Sequence, residues 1–124
     1  MTQHKQYIKK TKLTPEIKTD LETGVAFITG ESAPENAHEC YKPIFEFTHA
    51  SIQKNNKIHL NFNLDYFNTT TSKVLIELFK LLESFHTEAK DCLVLWHIPN
   101  NDFDLIEAAE DLLYDLLIPF KIIK

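Results

Sequence analysis

The sequence predicts a two-layer α/β domain, with a mixed, mostly parallel sheet covered by helices on one face. Three observations carry this. Ile58, Leu60, Phe62, Leu64 and Tyr66 alternate with polar residues over the longest period-two run in the chain. Leu75, Leu78, Phe79, Leu82 and Phe85 recur at helical spacing directly after it. Further strand and helix signals then alternate, and consecutive β-α-β units imply right-handed crossovers with parallel pairing. The alternating strand has one polar face. A strand buried on both sides would be apolar throughout, so helices are expected on one side only.

In order along the chain, residues 1–12 show no clean period and are expected to form a flexible polar tail, with Lys5, Lys9, Lys10 and Lys12. Residues 13–124 are read as one domain, within the ordinary size range. Glu16 to Leu21 and Val25 to Ile28 flank Glu22-Thr23-Gly24, which predicts a β-hairpin, and Gly30 is expected to end its second strand. Ser32-Ala33-Pro34-Glu35-Asn36 resembles a helix start. Tyr41, Ile44, Phe45 and Thr48 continue at helical spacing, interrupted by Pro43. A kink is expected there, or a short helix followed by a longer one to Lys54. After the alternating strand, Asn68 or Thr69 is the natural N-cap of the next helix. Cys92 to Trp96 is a compact apolar strand, and His97 to Asp102 a polar turn around Pro99. Asp102 caps a last helix with a stripe of Leu105, Ala108, Ala109, Leu112, Leu113 and Leu116, ended by Pro119. Phe120, Ile122 and Ile123 form a final strand. The expected order is ββαβαβαβ.

Composition narrows function. With 44% hydrophobic residues, nine Phe and two Gly in 124 residues, the chain can build a real core. A net charge of -5 argues against nucleic acid, which needs a concentrated positive patch. Cys40 and Cys92 are isolated, without the spacing of a zinc site, and fit buried thiols in a reducing compartment. No signal peptide or membrane-length run is visible, so a cytoplasmic protein with no membrane insertion is expected. The six His form no ligand motif. No cofactor, metal or catalytic residue is indicated. A hydrolase built on Asp65, His59 and a threonine is the weakest alternative, because no phosphate cradle or nucleophile elbow accompanies them.

Asp65 to Ser72 is the segment that stands out. A strand delivers the chain to a polar loop opening a helix, with hydroxyls at Thr69, Thr70, Thr71 and Ser72. A phosphate there would meet free backbone amides and the positive end of the helix dipole. It would also add nearly two negative charges to an exposed surface. The same residues would serve equally as caps and as the cover of the first turn.

These residues carry a resemblance. Pro34-Glu35-Asn36 with Tyr41 and Pro43, the run Leu64 to Lys73, Trp96 and its turn, the acidic helix with Glu107 and Glu110, and Pro119-Phe120 resemble the SiaC family of bacterial regulatory phosphoproteins. The resemblance runs from about Leu13 to Phe120. It implies a fold similar to the anti-sigma-factor antagonist (STAS-like, SpoIIAA-like) domain and a non-enzymatic, partner-switching role. It further implies a cognate Ser/Thr kinase, a PP2C-type phosphatase, and binding and activation of a diguanylate cyclase by the unphosphorylated protein, which raises cyclic di-GMP and promotes biofilm. The family's phosphothreonine falls on Thr69, with Thr70 as the rival. Glu35, Asn36, Asp65, Asn68, Thr70, Thr71 and Ser72 are the expected partner-binding residues. The chain departs from the family at His38-Glu39-Cys40 and at Trp96-His97-Ile98-Pro99, so the output partner can differ. A direct anti-sigma-factor antagonist and a constitutive protein-binding scaffold are the alternatives.

Overall fold

The structure, a computed structural model, describes residues 5–98 and 102–123. The polar turn expected around Pro99 falls largely outside them. Six strands form one sheet in the order β1-β2-β3-β4-β5-β6. They are β1 (Lys5–Ile8), β2 (Glu16–Asp20), β3 (Val25–Ser32), β4 (Lys57–Phe67), β5 (Asp91–His97) and β6 (Phe120–Ile123). The helices are α1 (Ala37–Asn55), α2 (Thr69–His86) and α3 (Phe103–Leu113). The first three strands pair antiparallel, and β3 to β6 pair parallel. Spatial order follows chain order without reversal, so successive right-handed crossovers put all three helices on one face. This is the expected two-layer STAS-like arrangement. Ala26, Ile28, Ile58, Leu60, Phe62, Leu64, Val94 and Trp96 from the sheet meet the buried faces of the helices in a single core.

Four expectations need correction. The order gains a strand, because Lys5–Ile8, expected within the flexible tail, pairs with β2 and sets Ile8 opposite Ile17 and Tyr7 opposite Lys18. The tyrosine hydroxyl also donates to the Glu16 carboxylate at 3.0 Å. Gly30 does not end β3, which continues to Ser32. Pro43 sits inside one continuous helix, so the expected alternative of two successive helices does not occur. It removes the bond to the Glu39 carbonyl, but the face made by Tyr41, Ile44, Phe47, Thr48, Ser51 and Ile52 anchors both sides of it in the core. The last helix stops at Leu113 rather than running on towards Pro119.

The remaining difference matters most for the site. Gly30 pairs with Leu64, but Glu31 pairs with Tyr66, so Asp65 is an extra residue in β4 and forms a bulge. A bulge inverts the alternation beyond it. Tyr66, expected to face the core, is therefore 53% exposed, while Phe67 turns inward against Trp96 at 5.4 Å. Trp96 is in turn stacked on Phe62 at 4.9 Å.

One glycine is structurally required. Gly24 closes the β2–β3 turn with φ +73°, and a Cβ there would lie 2.8 Å from the Ser51 hydroxyl on α1.

Candidate functional site

The bulge at Asp65 delivers the chain to α2 with four hydroxyls in different environments. Asn68 is the N-cap, and its side chain accepts from the Thr71 amide at 2.9 Å. Its own amide donates to the Ser32 carbonyl at 3.0 Å, tying the loop to the end of β3. Thr69 is thus the first helical residue and not the cap. It is exposed, and its hydroxyl has no hydrogen bond to the described residues. Thr70 is also exposed, but its hydroxyl donates to Asn68 Oδ1 at 3.0 Å. Ser72 is half-buried and donates to the Asn68 carbonyl at 3.2 Å.

Thr71, expected on the partner-facing surface, is completely buried. The helix period turns it inward beneath its two neighbours. Its hydroxyl donates to the Ser32 carbonyl at 3.0 Å and lies 2.9 Å from Ser32 Oγ, which is 2.7 Å from the Tyr41 hydroxyl. The protons can be counted. Thr71 spends its proton on the carbonyl, so Ser32 donates to Thr71 and Tyr41 donates to Ser32. Burial raises the Tyr41 phenol far above its ordinary range, which keeps that donor in place. The chain of hydroxyls joins β3, α1 and α2 directly under the exposed threonines.

Sequence reasoning missed Ser32 and Tyr41 in this role. Ser32 ends β3 and does not belong to the helix start expected from Ser32 to Asn36. The signal was present in the alternation of Ala26, Ile28, Gly30 and Ser32, which makes Ser32 the inward position one step beyond Gly30.

The two helix starts do come together. Glu35, Asn36, Ala37, His38, Thr70, Lys73 and Val74 line one shallow groove of about 250 Å3. Asn36 caps α1, accepting from the Glu39 amide at 3.1 Å. His38 Nε2 is 2.9 Å from the Glu77 carboxylate, a bridge between α1 and α2 beside the groove. Asp65 lies elsewhere, in a groove of about 350 Å3 lined by Tyr66, Phe67, Asp102, Asp104, Leu105 and Ala108. Of the expected partner residues, Glu35, Asn36 and Thr70 therefore share one groove, Asp65 lies in another, and Asn68, Thr71 and Ser72 line neither.

The hydrolase alternative fails on distance. His59 and Asp65 are six residues apart on one strand, roughly 20 Å, and His59 faces Asp91 at 3.0 Å instead. Of the thiols, Cys92 is buried and pushed up to about 11 by burial first and by Asp91 second, and burial also raises Cys40.

The fold and the site define a two-layer α/β domain that presents an exposed threonine hydroxyl at a helix start. Comparison with known proteins makes this specific. A family profile described as SiaC family regulatory phosphoprotein matches residues 8–124. An uncharacterized protein of Pseudomonas aeruginosa (strain UCBPP-PA14) is 27% identical over 117 residues, covering 94% of this chain and 93% of that one. The crystal structure of apo-SiaC from Pseudomonas aeruginosa is similar with a TM-score of 0.86 and 26% identity, covering 97% of this chain and 98% of the other. SiaC in a crystal structure with the diguanylate cyclase SiaD, as its activator, is similar with a TM-score of 0.87 and 27% identity over 94% of this chain and 97% of that one. The chain belongs to the SiaC family of regulatory phosphoproteins and is a regulator rather than an enzyme.

Proposed function

We propose that this protein is a phosphorylation-controlled switch that binds and activates a diguanylate cyclase when Thr69 is unmodified. The observation that carries the reading is the contrast among the hydroxyls. Thr69 is exposed without a partner among the described residues, whereas those of Thr70, Thr71 and Ser72 are engaged. A kinase needs a reachable hydroxyl, and Thr69 offers one at little structural cost. The similar SiaC that activates the cyclase SiaD supports the output side.

In this mechanism a cognate Ser/Thr kinase transfers the γ-phosphoryl group of ATP to Thr69 Oγ1, and a PP2C-type phosphatase hydrolyses it. Such a switch works in the cytoplasm, where ATP is supplied. Among the described residues no helix is long and apolar enough to cross a membrane. Unmodified, the start of α2 presents the exposed, uncharged Thr69 and Thr70, with Thr70 beside Glu35 and Asn36. A phosphate adds about -1.5 to -2 charges in a surface that the effector must desolvate. The effector then leaves.

The test is phosphopeptide mapping of protein from its native host, with Thr69→Ala as control, alongside cyclase activation by both forms. Phosphate on Thr69 alone, with activation lost on phosphorylation and constant in T69A, is the expected result. An unmodified Thr69 in the presence of kinase and absence of phosphatase would leave a constitutive binding domain. Phosphate on Thr70 would move the switch by one residue.

A further inference from the structure

The outer face of α3 breaks the rules that the other two helices keep. Between Asp102 and Ile118 there are six carboxylates, Asp102, Asp104, Glu107, Glu110, Asp111 and Asp115, and no Lys, Arg or His. By contrast, α2 alternates Lys73, Glu77, Lys80 and Glu83 at spacings that support one another. Acidic residues in the first turn of α3 suit the helix dipole. Glu110, Asp111 and Asp115 cluster at the other end, where negative charge opposes it and the last turn of the helix holds no basic residue. Helix stability therefore does not account for them.

Solubility does not account for the face either, because large apolar side chains stand among the carboxylates. Phe103 is 76% exposed, Tyr114 82% and Leu117 75%. Phe103 and Tyr114 are eleven residues apart, which is three turns and about 16 Å along the helix. They share one stripe with Glu107 and Glu110 between them. Phe103 and Tyr114 are therefore two separate exposed rings at the ends of a stripe of carboxylates, with the exposed Leu117 beyond the helix. The ridge is on α3, not on the start of α2, and the inference does not depend on phosphorylation of Thr69.

We propose that this ridge docks a partner helix whose apolar face is flanked by Lys and Arg. Charge complementarity selects that occupant. An apolar partner with acidic flanks would be repelled by every carboxylate on the ridge, whereas a basic one satisfies them and relieves the unfavourable charge at the end of α3. The two aromatic rings, three turns apart, would act as the anchors.

The test uses the full chain and a labelled synthetic amphipathic helix of Leu and Lys, read by fluorescence anisotropy, with amide shifts in NMR mapping the contact. Binding should weaken at least about tenfold in the pair F103A/Y114A and several-fold in E107Q/E110Q. It should fall with rising salt and be unchanged in T69A, with shifts confined to α3 and its C-terminal end. All substituted side chains are exposed, and circular dichroism checks that the variants fold. Equal binding of the same helix with Glu in place of Lys would overturn the proposal. So would insensitivity to both pairs of substitutions. Concentration-dependent self-association that F103A/Y114A abolishes would assign the ridge to a second copy of this chain and also overturn it.

Discussion

Three consecutive threonines carry the same chemistry and face three different surroundings, so their substitutions should separate. Thr71→Val keeps the shape and removes the hydroxyl. Ser32 Oγ is then a buried donor with no acceptor, while the Ser32 carbonyl keeps its bond from the Asn68 amide. An orphaned buried group costs about 1–3 kcal/mol, and urea unfolding of T71V should show a loss of that size. Thr69→Val, at an exposed position, should stay within about 0.5 kcal/mol of the parent. Equal losses at the two positions would contradict the burial pattern. Little of this was legible in the sequence. The run Thr69-Thr70-Thr71 marks a helix start without saying which hydroxyl turns inward. That depends on where the first helical residue lies, and so on whether Asn68 or Thr69 is the cap.

Within single elements the sequence was most informative where one periodicity ran unbroken, and it failed where a single residue changed the period. The stripe of α2 from Leu75 to Leu82 is buried as its spacing implies. In β4 the alternation holds from Ile58 to Leu64 and inverts at Asp65, so Tyr66 and Phe67 exchange faces. An aspartate in a strand is compatible with either outcome, and only the pairing with Gly30 and Glu31 decides. The same bulge sets where α2 begins. The Asn68 cap then holds that start, taking the Thr71 amide and the Thr70 hydroxyl. Asn68→Ala should lower stability by about 1 kcal/mol, within the usual range of 0.5–2. Hydrogen exchange should rise at the Thr71 amide first. An unchanged Thr71 amide would mean that the buried hydroxyl chain, and not the cap, holds the helix start.

For the molecule as a whole, the question is whether phosphorylation would act by loosening the fold or by changing a surface. The architecture favours the second. The hydroxyl chain from Tyr41 through Ser32 to Thr71 ties β3, α1 and α2 together beneath Thr69, and none of its bonds involves the Thr69 side chain. The first turn of α2 contains no acidic residue to repel a phosphate, and Lys73 lies one turn further on. A negative group at a helix N-terminus is favourable by about 0.3–1 kcal/mol. Phosphorylation of Thr69 should therefore leave the melting temperature unchanged or raise it by roughly 2–6 °C. Calorimetry on the phosphorylated and unphosphorylated forms, with hydrogen exchange over residues 68–75, would decide. A drop of several degrees with faster exchange at the start of α2 would mean that the switch works by melting the helix. A stable or stiffened α2 would mean that the effector is dismissed by charge at an intact surface, and the rest of the sheet would be free to keep other partners bound throughout the cycle.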